Sequence, residues 1–299
     1  MTCGFLVLDK PAGLSSHSCV ARVRRAYGLK RVGHGGTLDP AVTGVLPLAL
    51  GAATRLLPYL CGDKAYRGVI QLGLRTNSDD LEGEVLERCP LPAGLDAGVL
   101  EEALEAFRGH IAQIPPQVSA VHVNGQRAYK LARQGQTLTL AARPVQIQQL
   151  TLLAWDPDLG QLEVVVQCSA GTYIRSLARD LGAALGCGGT LARLRRTAAL
   201  GFNLQQAVAW NALEPETLAA GGPLPPLLDP LSALGHLPWQ QLNLAEQGDW
   251  RCGRQVQAAQ PWPTEQTVVI TTTDGRWAGM ATATPEGRLQ PKLVLDAAG

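Results

Sequence analysis

Hydrophobic positions along the chain switch repeatedly between strand-like runs, alternating or continuously apolar, and runs that recur every three or four residues as helices do. "GFLVLDKP" opens as a continuous apolar run and predicts a buried strand closed by a turn at Lys10 and Pro11. In "SHSCVARVRRAYG" Val20, Val23 and Tyr27 share one helical face, Arg22 and Arg25 face outward, and Gly28 ends the helix. A loop from Gly33 to Pro47 follows, and the apolar run "VLPLALGAATRLLPYL" reads as helix-like. "YRGVIQLGLRT" alternates as a strand beginning near Tyr66, and "DAGVLEEALEAFRGH" places Val99, Ala103, Leu104 and Phe107 on one helical stripe.

Beyond "IPPQVSA", the pattern predicts a short strand around "VHVNGQ", a helix over "AYKLARQG" and a strand around "PVQIQQLTLLAW". "QLEVVVQCSAG" is a strong strand that runs into the helix "TYIRSLARDLGAALG". There Ile174, Leu177, Leu181 and Leu185 point inward, Gly186 suits the C-terminal cap, and Arg175 and Arg179 lie four apart on another face. Composition shifts to "EPETLAAGGPLPPLLDPLSALGHLP" between Glu214 and Pro238, which marks a linker. In the tail, Asp274 and Gly275 sit between two β-rich runs as a hairpin turn, predicting a small β-barrel.

Composition adds limits. At 299 residues, with 46% hydrophobic and 17% charged residues, the chain has room for one large and one small folded domain. The start, "MTCGFLVLDKP", lacks the basic flank and apolar length of a signal peptide, and the uncharged stretch Pro40 to Thr54 is too short and too rich in Pro and Gly to span a bilayer. A cytoplasmic protein with no membrane partner is expected. Seven cysteines without C-x-x-C spacing and five histidines without an H-x-x-x-H pair predict reduced thiols and no metal site.

The net charge of +1 conceals a strong asymmetry. Met1 to Arg67 holds nine Lys/Arg against Asp9, Asp39 and Asp63; Gln117 to Gln149 holds Arg127, Lys130, Arg133 and Arg143 with no acid; Tyr173 to Arg196 holds five arginines against Asp180. Acids gather between Arg75 and Pro116, nine against three basic residues. Basic segments gathered on one face would suit phosphate contacts, and scattered ones would be ordinary solvated surface.

One carboxylate stands out. In "GHGGTLDPAVTGVLP" Asp39 precedes Pro40, which pushes its backbone toward extended conformations, and Gly33, Gly35 and Gly36 leave room for a planar ligand or a phosphate. The same residues also read simply as an Asx-turn shaped by glycines. His34, Tyr66, Tyr173, Lys10 and Arg175, taken singly, are equally at home as surface, core or turn residues.

Together the blocks carry more. "DKPAGLSSH", "VGHGGTLDPAVTGVLP", "KAYRG", "QIPPQVSAV", "AYKLARQG" and "SAGTYIRSLARDLG", in this order and with these separations, closely resemble the bacterial tRNA pseudouridine synthases of the TruB type, from about Phe5 to about Ala207 and more weakly through the tail. The resemblance implies a mixed α/β (α+β) catalytic domain around a curved, largely antiparallel sheet over residues 1–231, with a thumb insertion at about 122–144, and a PUA-like RNA-binding β-barrel over residues 236–299. It implies an isomerase that makes pseudouridine from uridine 55 in the T-loop of tRNA, needs no cofactor or metal, works as a monomer, and binds the T-stem-loop as its partner.

By position Asp39 matches the family's catalytic aspartate, and a carboxylate suits an oxocarbenium-like sugar carbon as nucleophile or base. Arg175 matches the arginine that pairs with it and compensates its charge when a bound base excludes water. Tyr66 matches the tyrosine that stacks on the target base and helps remove its C5 proton; His34 matches the residue that fills the space left by the flipped base. Tyr173 and Leu194 match further substrate contacts, and Lys10 is expected among the substrate-binding residues. One departure is "IPPQVSAVH" where the family often has "IPPMYSA" and then a Lys or Arg, so Gln117, Val118 and His122 question an RNA contact in that segment.

Overall fold

The computed structural model describes residues 2–295 apart from 120, 124, 129–130, 132–133 and 135–137. The first strand, β1 (Gly4–Lys10), leads into helix α1 (Ser16–Tyr27), β2 (Val32–His34), β3 (Thr43–Leu50) and β4 (Lys64–Leu72). A small hairpin, β5 (Leu74–Thr76) and β6 (Val85–Arg88), precedes α2 (Ala97–Glu105) and β7 (Gly109–Gln113). A second hairpin, β8 (His122–Val123) and β9 (Gln126–Arg127), precedes the long pair β10 (Arg143–Asp156) and β11 (Gln161–Cys168), then α3 (Ile174–Ala184) and β12 (Gly189–Ala199). The short strands β13 (Phe202–Asn203) and β14 (Val208–Ala209) complete this part.

Ten of these strands form one mixed sheet in the order β14-β1-β3-β12-β4-β11-β10-β7, with β2 on β3 and β13 on β12. Only β1–β14 and β3–β12 pair in parallel, so the sheet is largely antiparallel. Hairpins need only short connections, whereas each parallel pair needs a crossover. The β3–β12 contact therefore carries β12, from late in the chain, into the centre of the sheet next to the loop that precedes β3.

The helices form where their ends are capped and their apolar stripes meet the sheet. The Ser15 hydroxyl accepts from the Ser18 amide at the start of α1, and Gly28 (φ 62°) closes its end. Asp96 caps α2, whose fully buried residues are Leu100 and Leu104. Val99, placed on the inward stripe by spacing, is 44% exposed, because the helix ends at Glu105 and the stripe is centred one residue further on.

The run expected to be helix-like is instead β3 followed by 3-10 turns over Gly51–Tyr59. Burial on both faces explains the misreading: Val45 and Ala49 pack with Phe5 and Val7, while Leu46, Leu48 and Leu50 pack with Leu6, Leu8 and the inner face of α1. A strand covered on both sides loses the alternation that would identify it.

The tail folds as a five-stranded curled sheet in the order β15-β17-β18-β19-β16: β15 (Trp239–Gln241), β16 (Val256–Gln257), β17 (Thr267–Thr271), β18 (Trp277–Ala283) and β19 (Arg288–Val294). Helix α4 (Leu244–Arg251) seats Trp250 inside it. Asp274 and Gly275 turn between β17 and β18, as their sequence predicts. The outer face of this sheet, with Val269, Trp277, Met280 and Leu293, packs on Phe5, Leu56, Phe202 and Leu234 in one continuous apolar cluster. No described helix is long and apolar enough to cross a membrane.

Candidate active site

Asp39 sits in the loop between β2 and β3, and its neighbours on both sides are tied down. The Ser16 hydroxyl, in the first turn of α1, donates to the Leu38 carbonyl at 3.1 Å and accepts from the Leu38 amide at 2.9 Å. On the other side the Pro40 carbonyl accepts from the Gly13 amide and from Lys10 Nζ, at 2.9 and 3.0 Å. With its backbone anchored at 38 and 40, Asp39 leaves its carboxylate 46% exposed at a cleft.

Across the cleft stands Arg175, in the first turn of α3. A guanidinium there needs a fixed helix start, and Gln113 provides it, its side chain accepting from the Tyr173 amide at 2.8 Å and donating to the Tyr173 carbonyl at 3.0 Å. The Arg175 side chain is 8% exposed; it lies 3.1 Å from the Asp39 carboxylate and 3.6 Å from that of Asp80. Its Nη1 also donates to the Ser78 carbonyl at 2.9 Å and its Nη2 to the Val118 carbonyl at 2.8 Å. One turn on, Arg179 binds Asp79 at 3.0 Å and Asp180 at 2.8 Å. Burial pushes the Asp79 carboxyl above the usual carboxylate range against the pull of Arg179 and Arg175.

The cleft encloses about 1390 Å³, more than a single small ligand fills. Asp39, Arg175 and Asp80 line one part, Leu194 and Gly68 another, and Arg67, Arg193 and Arg195 stand along the wall. Arg67 is held by Glu163 and Arg195 by Asp9, each through two hydrogen bonds.

Tyr66 lies on β4 directly opposite Arg196 on β12, its ring buried among Ile70, Leu177 and neighbouring apolar side chains. Burial pushes its phenol up to about 12, with the Asp39 charge adding to the effect and Arg196 opposing it. At neutral pH this is an uncharged ring. His34, on β2, stands edge-on to His17 with ring centroids 5.5 Å apart, and its buried Nδ1 has no hydrogen-bond partner among the described residues. Burial, then the nearby His17 and Arg196, hold it below the usual imidazole value, so it too is neutral. Leu194 faces Gly68 across the β12–β4 pair, and half-buried Tyr173 precedes α3.

Lys10 is fully buried, and its ammonium donates to the carbonyls of Pro11, Leu14 and Pro40 at 2.8, 2.7 and 3.0 Å. All three of its N–H donors are engaged inside the protein, where they tie the Asp39 loop to the end of β1.

The departures in "IPPQVSAVH" also acquire positions. Val118 serves Arg175 through its backbone carbonyl, which any residue supplies, and the Gln117 side chain exchanges two hydrogen bonds with the Leu138 backbone. Lys130 and Arg133, and most of the helix expected over "AYKLARQG", lie outside the described residues. Spacing missed Asp79 and Asp80, although adjacent acids facing arginines four apart on a helix form a recognisable complement.

Residues 24–174 match the TruB family pseudouridylate synthase N-terminal domain, residues 175–234 the tRNA pseudouridylate synthase B C-terminal domain, and residues 238–295 the C-terminal domain of pseudouridine synthase II TruB. The chain belongs to the TruB family of pseudouridylate synthases. A tRNA pseudouridine synthase B of Parasynechococcus marenigrum (strain WH8102) is 61% identical over 296 residues, 99% of this chain and 98% of its own length. One of Synechococcus sp. (strain WH7803) is 58% identical over the same shares of the two chains. Among solved structures, a chain of a Cbf5-Nop10-Gar1 complex superposes with a TM-score of 0.71 at 25% identity, covering 94% of this TruB-family chain and 78% of the other.

Proposed function

We propose that this chain is a tRNA pseudouridine synthase that isomerises uridine 55 in the T-loop, with Asp39 as its catalytic carboxylate. The observation that carries this reading is the Asp39–Arg175 pair at 3.1 Å, on a loop anchored at both flanking residues and open to a large cleft.

The uridine must leave the folded T-loop to meet Asp39, at a cost of about a few kcal/mol of stacking and pairing. The N1–C1′ bond then breaks with its electron pair on the uracil. Asp39 serves C1′ as nucleophile or takes the 2′ proton, and both routes need the carboxylate charged and aimed, which Arg175 supports. The base turns while bound, C5 bonds to C1′ as the Asp39–C1′ bond breaks or, on the other route, as Asp39 returns the proton to C2′; the C5 proton then leaves and N1 gains one. Tyr66 and Leu194 flank the base, His34 stands in the space it vacates, and Tyr173 contacts the substrate. Arg67, Arg193 and Arg195 along the wall face RNA phosphates. The catalytic unit spans residues 1–231 and the RNA-binding tail 236–299.

Mass spectrometry of nuclease fragments of unmodified tRNA after incubation tests the reading. An unchanged mass with a changed nucleoside retention at position 55 is expected. Loss of the base, with its lower mass, would instead make the enzyme a hydrolase, and tight binding without change would make it a tRNA-binding protein.

A further inference from the structure

Two cations beneath the site have no described carboxylate paired with them. Arg196 is fully buried; its Nε donates to the Val45 carbonyl at 2.7 Å and its Nη2 to the Gly36 carbonyl at 3.2 Å, while Nη1 has no hydrogen-bond partner among the described residues. Lys64, part-buried at the start of β4, shares that corner. A Cβ built on Gly36 would stand 3.6 Å from Lys64 Nζ and 3.7 Å from Arg196 Nη1, so both cationic groups converge on the glycine three residues before Asp39. Arg196 is also the cross-strand partner of Tyr66. Burial pulls both cations below their ordinary values, and Arg196 adds to the effect on Lys64. Buried cations set side by side with no anion are costly, and functional sites are where such strongly perturbed groups gather.

We propose that Arg196 and Lys64 form an electrostatic seat for the negative charge that develops on uracil when its N1–C1′ bond breaks. The proposal rests on the isomerase reading above. The bonding pair leaves with N1 and spreads over N1, O2 and O4; C1′ is satisfied by the Asp39 carboxylate or by loss of the 2′ proton to it. The charge disappears when C5 bonds to C1′, the C5 proton departs and N1 is protonated. Between those events a base beside Tyr66 lies in the field of two fixed cations within a water-poor pocket, where preorganised charge acts most strongly.

The test is a leaving-group comparison under single-turnover conditions, using tRNA with uridine or 5-fluorouridine at position 55. Fluorine withdraws electrons and makes the departing anion more stable by itself. Lys64→Met keeps the aliphatic stem and is the primary variant; Arg196→Lys keeps a charge while losing the fork. For Lys64→Met, consumption of uridine slows about 10- to 100-fold, consumption of 5-fluorouridine slows severalfold less, and tRNA affinity stays near wild type. Arg196→Lys shows the same preference with a smaller loss. Equal slowing on both substrates would mean a merely structural role, a loss confined to affinity would mean a phosphate contact, and unchanged rates would remove any role; each overturns the seat. If wild-type protein forms no pseudouridine, the isomerase reading itself fails, a result distinct from all of these.

Discussion

Replacing Arg175 by alanine removes four interactions at once: ion pairs to Asp39 and Asp80 and hydrogen bonds to the Ser78 and Val118 carbonyls. Asp39 is 46% exposed and rehydrates readily, while the Asp80 side chain, 20% exposed, loses its cation in a partly closed site. Two lost charge-assisted bonds and one poorly compensated carboxylate, offset by entering water, amount to about 3 kcal/mol of stability. For a chain of this length that lowers Tm by about 6–12 °C. Catalysis suffers separately, because the carboxylate loses its aim and its counter-charge when the base excludes water; a fall of about 100- to 1000-fold in single-turnover rate is expected. On the proposed reading tRNA is held by the wall arginines, so affinity should change less than about fivefold, under ~1 kcal/mol. Arg175→Lys restores a charge without the planar fork and falls between the two. Rapid-quench measurement of pseudouridine formation, with filter binding alongside at a temperature where both variants are folded, checks this. Equal losses in rate and affinity would make Arg175 a phosphate contact and not the partner of Asp39.

Three further outcomes follow from single side chains. Lys10→Met takes the ammonium from the Pro11, Leu14 and Pro40 carbonyls, of which Pro40 keeps the Gly13 amide; thermal denaturation should show a loss of about 2–3 kcal/mol, with a slower rate at unchanged tRNA affinity. Gly44→Ala places a Cβ 2.1 Å from the Arg196 carbonyl at φ 100°, forcing β3 and β12 apart, so the variant should be recovered largely insoluble or unfolded by circular dichroism. Between pH 10 and 12 an unfolded chain sheds the Tyr66 proton that the folded protein, with its phenol at about 12, retains. Stability therefore falls through that window as pH rises, by about 2–3 kcal/mol from this residue, and denaturant titrations of Tyr66→Phe should show a correspondingly flatter alkaline decline.

Local periodicity was a good guide wherever an element has one wet face. Helix α1 shows its apolar stripe plainly because Arg22, Arg24 and Arg25 lie outside it, and the Asp274–Gly275 turn announces its hairpin. It failed at β3, where both faces are covered and the tail sheet supplies one of the covers, a contact that no window of neighbouring residues contains. The site was less legible. Asp39 and Arg175 lie on opposite sides of a cleft, and a wide sequence separation leaves no spacing to read; only the resemblance joined them. The setting of Lys10 was equally hidden, because the sequence shows only a lysine before a proline and its three carbonyl partners come together in the folded loop. Arg196 counted as one more basic residue until the β3–β12 crossover buried it beneath Gly36.

If Asp39 carries out chemistry on a uridine whose C5 hydrogen must leave, tritium at that carbon is lost, and release from tRNA labelled at uridine C5 can be measured with wild type and Asp39→Asn side by side. Wild type should release one tritium per tRNA, from the T-loop uridine, and Asp39→Asn protein that still folds and binds tRNA should release none. Full release by the asparagine variant, or none by wild type despite tight binding, would contradict that role for Asp39.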